Sequence, residues 1–135
     1  MTKADVAKTW SLNYRLLTSV ITSVAGEVSA LGVEAKELFL LAAVDDHPHP
    51  AELAADLCMP KPTVTAMVKR LEADGFLKRE IDPTDLRRHH LSLTTPGRKV
   101  MTRGLEILSG AFGERLARLS AAEQAKLHAL LEKMS

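Results

Sequence analysis

Short hydroxyl side chains and cations occur together in residues 61–70, whose sequence is KPTVTAMVKR. Val64, Met67 and Val68 repeat at helical spacing, so the remaining residues lie on the polar faces of a helix. Threonine hydroxyls hydrogen-bond to several bases and threonine methyls contact thymine, whereas lysine and arginine neutralise phosphates. We therefore expect contacts to base edges near the helix start and to phosphates further along, from Lys61, Thr63, Thr65, Ala66, Lys69 and Arg70. The alternative is a polar face that contacts only water.

A second basic group, Arg87 to His90, lies between two short segments with the pattern of strands. Asp82 and Pro83 are turn formers, so this group occupies the tip of a hairpin. A narrow DNA minor groove has a negative potential that attracts arginine. The pattern predicts that Arg87 and Arg88 bind DNA, the alternative being a solvated basic loop.

The net charge of +1 conceals an uneven distribution along the chain. Residues 61–103 contain ten Lys/Arg and five Asp/Glu, whereas the rest of the chain contains eight basic and twelve acidic residues. Positive charge concentrated in one segment is typical of a surface that faces nucleic acid. Ordinary surface helices also produce local imbalances by chance, which is the competing explanation.

The elements that must position these two groups follow one another closely. The sequence predicts a helix from Ala51 to Leu57, a turn from Met59 to Pro62, a second helix that ends at Gly75, and strands at Phe76 to Ile81 and His90 to Thr94. This order is typical of a winged helix-turn-helix, which places a helix in the DNA major groove and a hairpin beside it. At the start of the second helix, Pro60 offers no side-chain acceptor to the helix N–H groups.

The flanking segments predict further helices with long apolar seams. A first helix extends from Val6 to Leu31 and ends at Gly32, and a second covers Glu34 to Val44. Thr95 is expected to cap the helix that begins with Pro96, and Ser120 to Glu123 form a capping box for the last helix. These seams exceed what one small core can cover, so we expect a dimer whose interface includes Trp10, Tyr14, Leu17, Leu127, Leu130 and Leu131.

The chain resembles the MarR family of bacterial transcription regulators. The matching residues are the KPTVT start of the second helix, its continuation KRLEADGFLKR, and the D-x-R pattern of Asp85 and Arg87 that leads to Leu93 and Thr94. The resemblance implies a mainly α fold with a small β-hairpin wing. It further implies one domain over residues 1–135, with a winged helix-turn-helix at 34–96 flanked by dimerisation helices at 1–32 and 98–135.

The resemblance also implies a function. Proteins of this type bind a palindromic operator in double-stranded DNA as homodimers, and repression is the commoner mode of regulation. The arginine of the D-x-R pattern, here Arg87, reaches the minor groove, and the aspartate, here Asp85, orders the wing. A small aromatic effector is implied between the dimer helices and the winged domain, although the sequence does not name it. The rival hypothesis is a winged-helix module that binds protein and has no affinity for DNA.

Other classes of function find little support in the sequence. No nucleophile motif or glycine-rich phosphate loop occurs, so we expect no enzyme and no cofactor. The five histidines lack metal-ligand spacing, and metal sensing is a minor alternative. Cys58 is the only cysteine, and we expect it to be a small buried residue, with redox sensing as another minor alternative. The N-terminus lacks a signal peptide's apolar stretch and no membrane span is present, which favours the cytoplasm.

Overall fold

The computed structural model describes residues 1–135 as seven helices and one two-stranded sheet. This confirms the predicted mainly α fold with a hairpin wing. No helix combines the length and the apolar character that crossing a membrane requires. In chain order the elements are α1 (Lys3–Ser23), α2 (Ala25–Ser29), α3 (Ala35–Ala43), α4 (Pro50–Asp56), α5 (Lys61–Ala73), β1 (Leu77–Ile81), β2 (His89–Leu93), α6 (Thr95–Leu116) and α7 (Ala121–Met134).

The chain divides into two compact units, one formed by residues 25–105 and the other by residues 1–24 together with 106–135. The core of the first unit is aliphatic and comes from α3, α4, α5 and the hairpin. Its fully buried side chains include Leu38, Leu40, Leu41, Leu53, Val64, Val68, Leu71 and Leu91. Because α5 contributes Val64, Val68 and Leu71 to this core, its other faces are held towards solvent.

Helix α5 begins and ends as its sequence predicts. Pro60 is the N-cap and makes no side-chain capping bond, while Pro62 occupies the first turn, where a missing N–H is tolerated. At the other end Gly75 adopts a left-handed conformation with φ of 81°. The Gly75 N–H donates to Glu72 O and the Phe76 N–H donates to Leu71 O, which is a Schellman C-cap. The cap directs the chain straight into β1.

The hairpin is antiparallel, with Leu77 opposite Leu93 and Ile81 opposite His89. Leu77 and Leu91 are buried, which fixes the hairpin to the core. At its base the Thr94 hydroxyl donates to Gly75 O at 2.6 Å and accepts from the Gly97 N–H at 3.0 Å. Thr94 therefore caps α6, and the expectation that Thr95 does so was wrong by one residue.

The second unit contains α1, the C-terminal part of α6, and α7. Helix α1 starts earlier than predicted because Thr2 and Asp5 form a capping box. It also ends earlier. At Val24 the backbone N–H bonds to Ile21 O three residues back, which interrupts the helix within a β-branched stretch of low helix propensity. The capping box of Ser120 and Glu123 at the start of α7 is confirmed.

Candidate nucleic-acid interface

The polar faces of α5 are open to solvent along its first three turns. Val64 and Val68 are buried at their helical spacing, and the residues between them point away from the core. All of the helix residues that the sequence predicts to contact DNA are exposed: Lys61, Thr63, Thr65, Ala66, Lys69 and Arg70. The first turns of α5 thus present small side chains with cations on either side, a shape that lets a helix approach base edges closely.

The two threonines of this surface differ in their hydrogen bonding. The Thr65 hydroxyl donates to Lys61 O, four residues back, at 2.9 Å. Its hydrogen is therefore used within the helix, and only its lone pairs and its methyl face outward. The Thr63 side chain makes no hydrogen bond in the protein. Thr63 is consequently the residue of this pair that can donate to a base acceptor without losing an existing bond.

The predicted DNA-contacting cations fall into a paired and an unpaired group. Arg70 lies 2.9 Å from the Glu37 carboxylate and 3.8 Å from that of Asp74. Arg88 lies 3.2 Å from Glu52 at the start of α4. Lys61, Lys69 and Arg87 form no ion pair within the protein, and they are the cations that can meet phosphate without breaking a bridge.

Most other cations of the basic segment are also paired. Lys78 pairs with Glu80 at 3.1 Å and Arg79 with Glu72 at 2.8 Å. Arg98 binds Asp45 through two hydrogen bonds of 3.0 and 3.3 Å. The hydrogen bonds and the charge of Asp45 raise the pKa of Arg98. The cations of this segment that form no ion pair are therefore Lys61 and Lys69 on α5, Arg87 at the wing tip and Lys99 on α6.

The wing loop is organised by Asp82, which sequence reasoning noted only as a turn former. Its Oδ1 accepts the Thr84 N–H at 2.8 Å, the Thr84 hydroxyl at 2.7 Å and the Asp85 N–H at 3.3 Å. The hydroxyl and then the backbone N–H of Thr84 hold the pKa of Asp82 below its ordinary value. The Asp-x-Thr pattern is the signal that could have identified this turn. The Asp85 carboxylate accepts the Arg87 N–H at 3.0 Å and so acts on the tip itself.

Neither Cys58 nor the histidines join the α5 surface. Cys58 is exposed and has φ of 52°, so the expectation of a buried residue was wrong. It follows Leu57, the C-cap of α4, and occupies the left-handed position at which a helix commonly terminates. His47 pairs with Asp56 at 3.3 Å.

A second exposed surface, apolar in character, lies on the unit formed by residues 1–24 and 106–135. Trp10 is 66% exposed, Tyr14 58% and Leu17 57%. Leu130 and Leu131 on α7 are also exposed, whereas Leu127 is half-buried. A groove of about 230 Å³ lies between these helices and is lined by Leu16, Leu17, Val20, Phe112, Leu127, Leu131 and Asn13. Large apolar side chains exposed in one patch are typical of a protein interface.

Comparison with known proteins shows similarity to one family over part of the chain. The MarR family model matches residues 35–89, which contain the helix-turn-helix and most of the wing. The transcriptional regulator HosA of Escherichia coli O111:H- is 38% identical over 74 residues, and the match spans 55% of this chain and 55% of HosA. Over its winged helix-turn-helix the chain is thus similar to regulators of the MarR family.

Two solved structures, one of them of a protein described as a MarR family protein, share the fold over nearly the whole chain. The Rv2887 protein of Mycobacterium tuberculosis, in complex with salicylic acid, is 27% identical and has a TM-score of 0.74, covering 92% of this chain and 93% of that one. The MepR protein of S. aureus, in complex with DNA, is 22% identical with a TM-score of 0.77, covering 93% and 94%. The similarity to MepR shows the fold alone.

Proposed function

We propose that this protein is a sequence-specific transcriptional regulator, a repressor of the MarR type, that binds a palindromic operator as a homodimer. The observation that carries the proposal is the exposed polar surface at the start of α5, flanked by the unpaired cations Lys61 and Lys69, together with the unpaired Arg87 at the wing tip. In this arrangement Lys61, Thr63, Thr65 and Ala66 contact base edges, and Lys69 and Arg70 contact phosphate.

The wing contributes Arg87 to the minor groove and Arg88 to the backbone, while Asp85 holds the tip. Arg88 has a competitor in Glu52, at 3.2 Å. Because both side chains are about half exposed, the pair contributes little, about 0–1 kcal/mol. A phosphate can therefore replace Glu52 as the partner of Arg88 at small cost. If a phosphate binds Arg70 in the same way, the carboxylate of Glu37 is left without its partner.

The homodimer is proposed through Trp10, Tyr14, Leu17, Leu127, Leu130 and Leu131. Support comes from the exposure of five of these large apolar side chains on a single chain, Leu127 being half-buried, because such a patch is typical of a protein interface. We retain the scheme of a winged helix-turn-helix at 34–96 between dimerisation helices at 1–32 and 98–135. The compact units have different limits, 25–105 for one and 1–24 with 106–135 for the other.

Release of the operator by a small aromatic ligand is part of the proposal. Its support is the related Rv2887 protein, which is 27% identical and was solved in complex with salicylic acid. The test is a titration of the protein with salicylate during operator binding. A weakening of operator binding that saturates with salicylate supports the proposal. Unchanged operator binding at millimolar salicylate excludes salicylate as the ligand.

The experiment for DNA binding starts from duplexes selected out of a random pool. Affinity for the selected duplex is measured from low to physiological salt, and a log–log slope of about −0.9 per neutralised phosphate is expected. The titration is repeated with the half-site spacing changed by half a helical turn, which should weaken binding because two recognition helices related by a dyad must meet the same groove face. A flat salt response would favour the rival protein-binding module, whereas indifference to spacing would contradict the paired-helix geometry alone.

A further inference from the structure

The imidazole of His49 links the start of α4 to the wing, where it contacts Asp82 after β1 and His89 at the start of β2. His49 is the N-cap residue of α4. Its Nδ1 lies 3.0 Å from the carbonyl oxygen of His89, the first residue of β2, and its Nε2 lies 3.2 Å from Oδ2 of Asp82, which follows β1. The backbone adds a third link, since the Leu91 N–H donates to Pro48 O at 2.7 Å.

This contact is largely shielded from water. The side chain of His49 is 13% exposed and that of Asp82 is 9% exposed. Asp82 uses its other oxygen to hold Thr84 and the Asp85 N–H, so the carboxylate cannot turn away from the ring without opening the wing loop. The ring is therefore part of the structure that fixes the wing, and through it Arg87, relative to α4.

Both atoms that face the ring are acceptors. A carbonyl oxygen and a carboxylate oxygen carry no hydrogen, and a neutral imidazole has only one N–H. Neutral His49 can therefore donate to His89 O or to Asp82, and its other nitrogen then presents a lone pair to an acceptor. Only the doubly protonated ring satisfies both contacts. Hydrogen bonds between an imidazolium and a carboxylate are also stronger than neutral ones.

Several other charged groups on the elements around the ring have partners of their own, whereas Asp46 and Arg87 form no ion pair and are exposed. On the preceding loop His47 pairs with Asp56, and on α4 Glu52 pairs with Arg88. Two further titratable rings lie on β2: His90 meets His49 edge to face, with centroids 6.1 Å apart, and His89 is exposed and contacts His49 through its backbone oxygen. Asp82 is therefore the carboxylate that compensates a charge on His49.

We propose that His49 is a positioning residue for the wing and that it orders the wing in its doubly protonated form, so that operator binding through the wing takes up a proton. The proposal rests on the proposed DNA-binding function. It predicts that affinity for the operator rises as the pH falls from about 8 to about 6, the range in which histidine changes its charge. Because each protomer takes up at most one proton, the affinity for the operator can rise by at most about tenfold per protomer for each pH unit.

The decisive experiment measures operator affinity at about pH 6 and about pH 8, at constant ionic strength. Because His89 and His90 on the wing would also gain charge and attract DNA, all variants are made in a His89→Gln/His90→Gln background. In that background we expect affinity to be about fivefold or more higher at the lower pH. His49→Gln, which is neutral throughout, should abolish this difference, whereas His47→Gln should retain it, because His47 pairs with Asp56 and not with the wing.

Asp82→Asn separates protonation from the mere presence of a histidine. The amide oxygen can keep the bonds to Thr84, and the amide NH₂ can donate to Nε2 of a neutral ring whose Nδ1–H donates to His89 O. This variant should therefore bind with an affinity that does not depend on pH, and it decides the question even if His49→Gln fails to fold. A full pH dependence in either Asp82→Asn or His49→Gln would overturn the proposal.

A second readout is independent of DNA. Nitrogen-15 NMR of the imidazoles in the free protein reports whether one or both ring nitrogens of His49 carry a hydrogen. At about pH 6 we expect a hydrogen on both ring nitrogens. We also expect the Thr84 and Arg87 amide hydrogens to exchange more slowly than at about pH 8. A ring with a hydrogen on only one of its nitrogens at about pH 6 would refute the proposal. Absence of duplex binding at both pH values would refute the proposed function, and the nitrogen spectra would still decide the role of His49.

Discussion

Replacing Arg70 with alanine should destabilise the fold as well as weaken DNA binding. The Glu37 carboxylate is 4% exposed, and its Oε1 accepts both the Glu34 N–H and the Arg70 guanidinium at 2.9 Å. Its Oε2 is buried and has no hydrogen-bond partner. Arg70→Ala would leave this buried charge without its cation, the situation that makes removal of one partner costly.

The magnitude follows from the burial of the two side chains. Breaking a buried ion pair by removing one partner costs about 3–5 kcal/mol. Arg70 itself is 49% exposed, so water can approach the carboxylate once the guanidinium is gone. We therefore expect about 2–3 kcal/mol of lost unfolding free energy, below the value for a fully buried pair. The matched control is Lys69→Ala, one residue earlier on the exposed face of α5, which should change stability by no more than about 0.5 kcal/mol.

Urea unfolding followed by circular dichroism measures the difference, with all variants at one protein concentration because the proposed dimerisation would contribute to stability. A double variant, Glu37→Leu/Arg70→Ala, removes both charges and should recover most of the loss. Both Arg70→Ala and Lys69→Ala should weaken operator binding, since each removes a proposed phosphate contact. The reasoning is refuted if Arg70→Ala is no less stable than Lys69→Ala, or if the double variant is as unstable as the single one.

Three further outcomes are expected. Arg87→Ala should weaken operator binding by about 1–3 kcal/mol and leave the fold intact, because its guanidinium forms no ion pair in the protein; equal affinities of wild type and variant at matched salt would contradict this. Removal of residues 124–135 should give monomeric or insoluble protein in sedimentation velocity, and a soluble, stable dimer would argue against the interface. The charged form of Asp82 stabilises the wing loop because its pKa is lowered in the fold, so this contribution is present above the ordinary value of 3.8 and is lost as the pH falls through the lower, folded value. As the pH falls from about 6, below the range in which histidine changes its charge, the Thr84 amide resonance should keep its position to below pH 3.8, and movement between these two values would speak against it.

The parts of the fold that the sequence predicts correctly depend on local signals. Pro62 and Gly75 delimit α5 because the missing N–H of proline and the left-handed conformation of glycine act within one turn. The alternation around Leu91 predicts β2 for the same kind of reason, since burial on one face needs only a period of two. The interruption at Val24 was missed because the apolar seam continues through it.

The parts that were missed depend on contacts between distant residues. Glu37 and Arg70 are separated by 33 positions, and no local pattern shows that a charge on α3 faces a charge on α5. The same holds for His49 and Asp82, whose neighbours in the sequence indicate only a loop and a turn. Charge counting therefore overestimates the free positive surface, because it cannot tell the unpaired Lys69 from the paired Arg70.

The exposed Cys58 provides a natural site for a spectroscopic reporter. It is the only cysteine in the chain, and it lies in the turn between α4 and α5. A maleimide spin label or fluorophore would therefore attach at one position without any engineered residue. In a dimer the two labels would report the spacing of the recognition helices directly. Pulsed electron paramagnetic resonance could then measure this distance in solution for the free, operator-bound and ligand-bound protein.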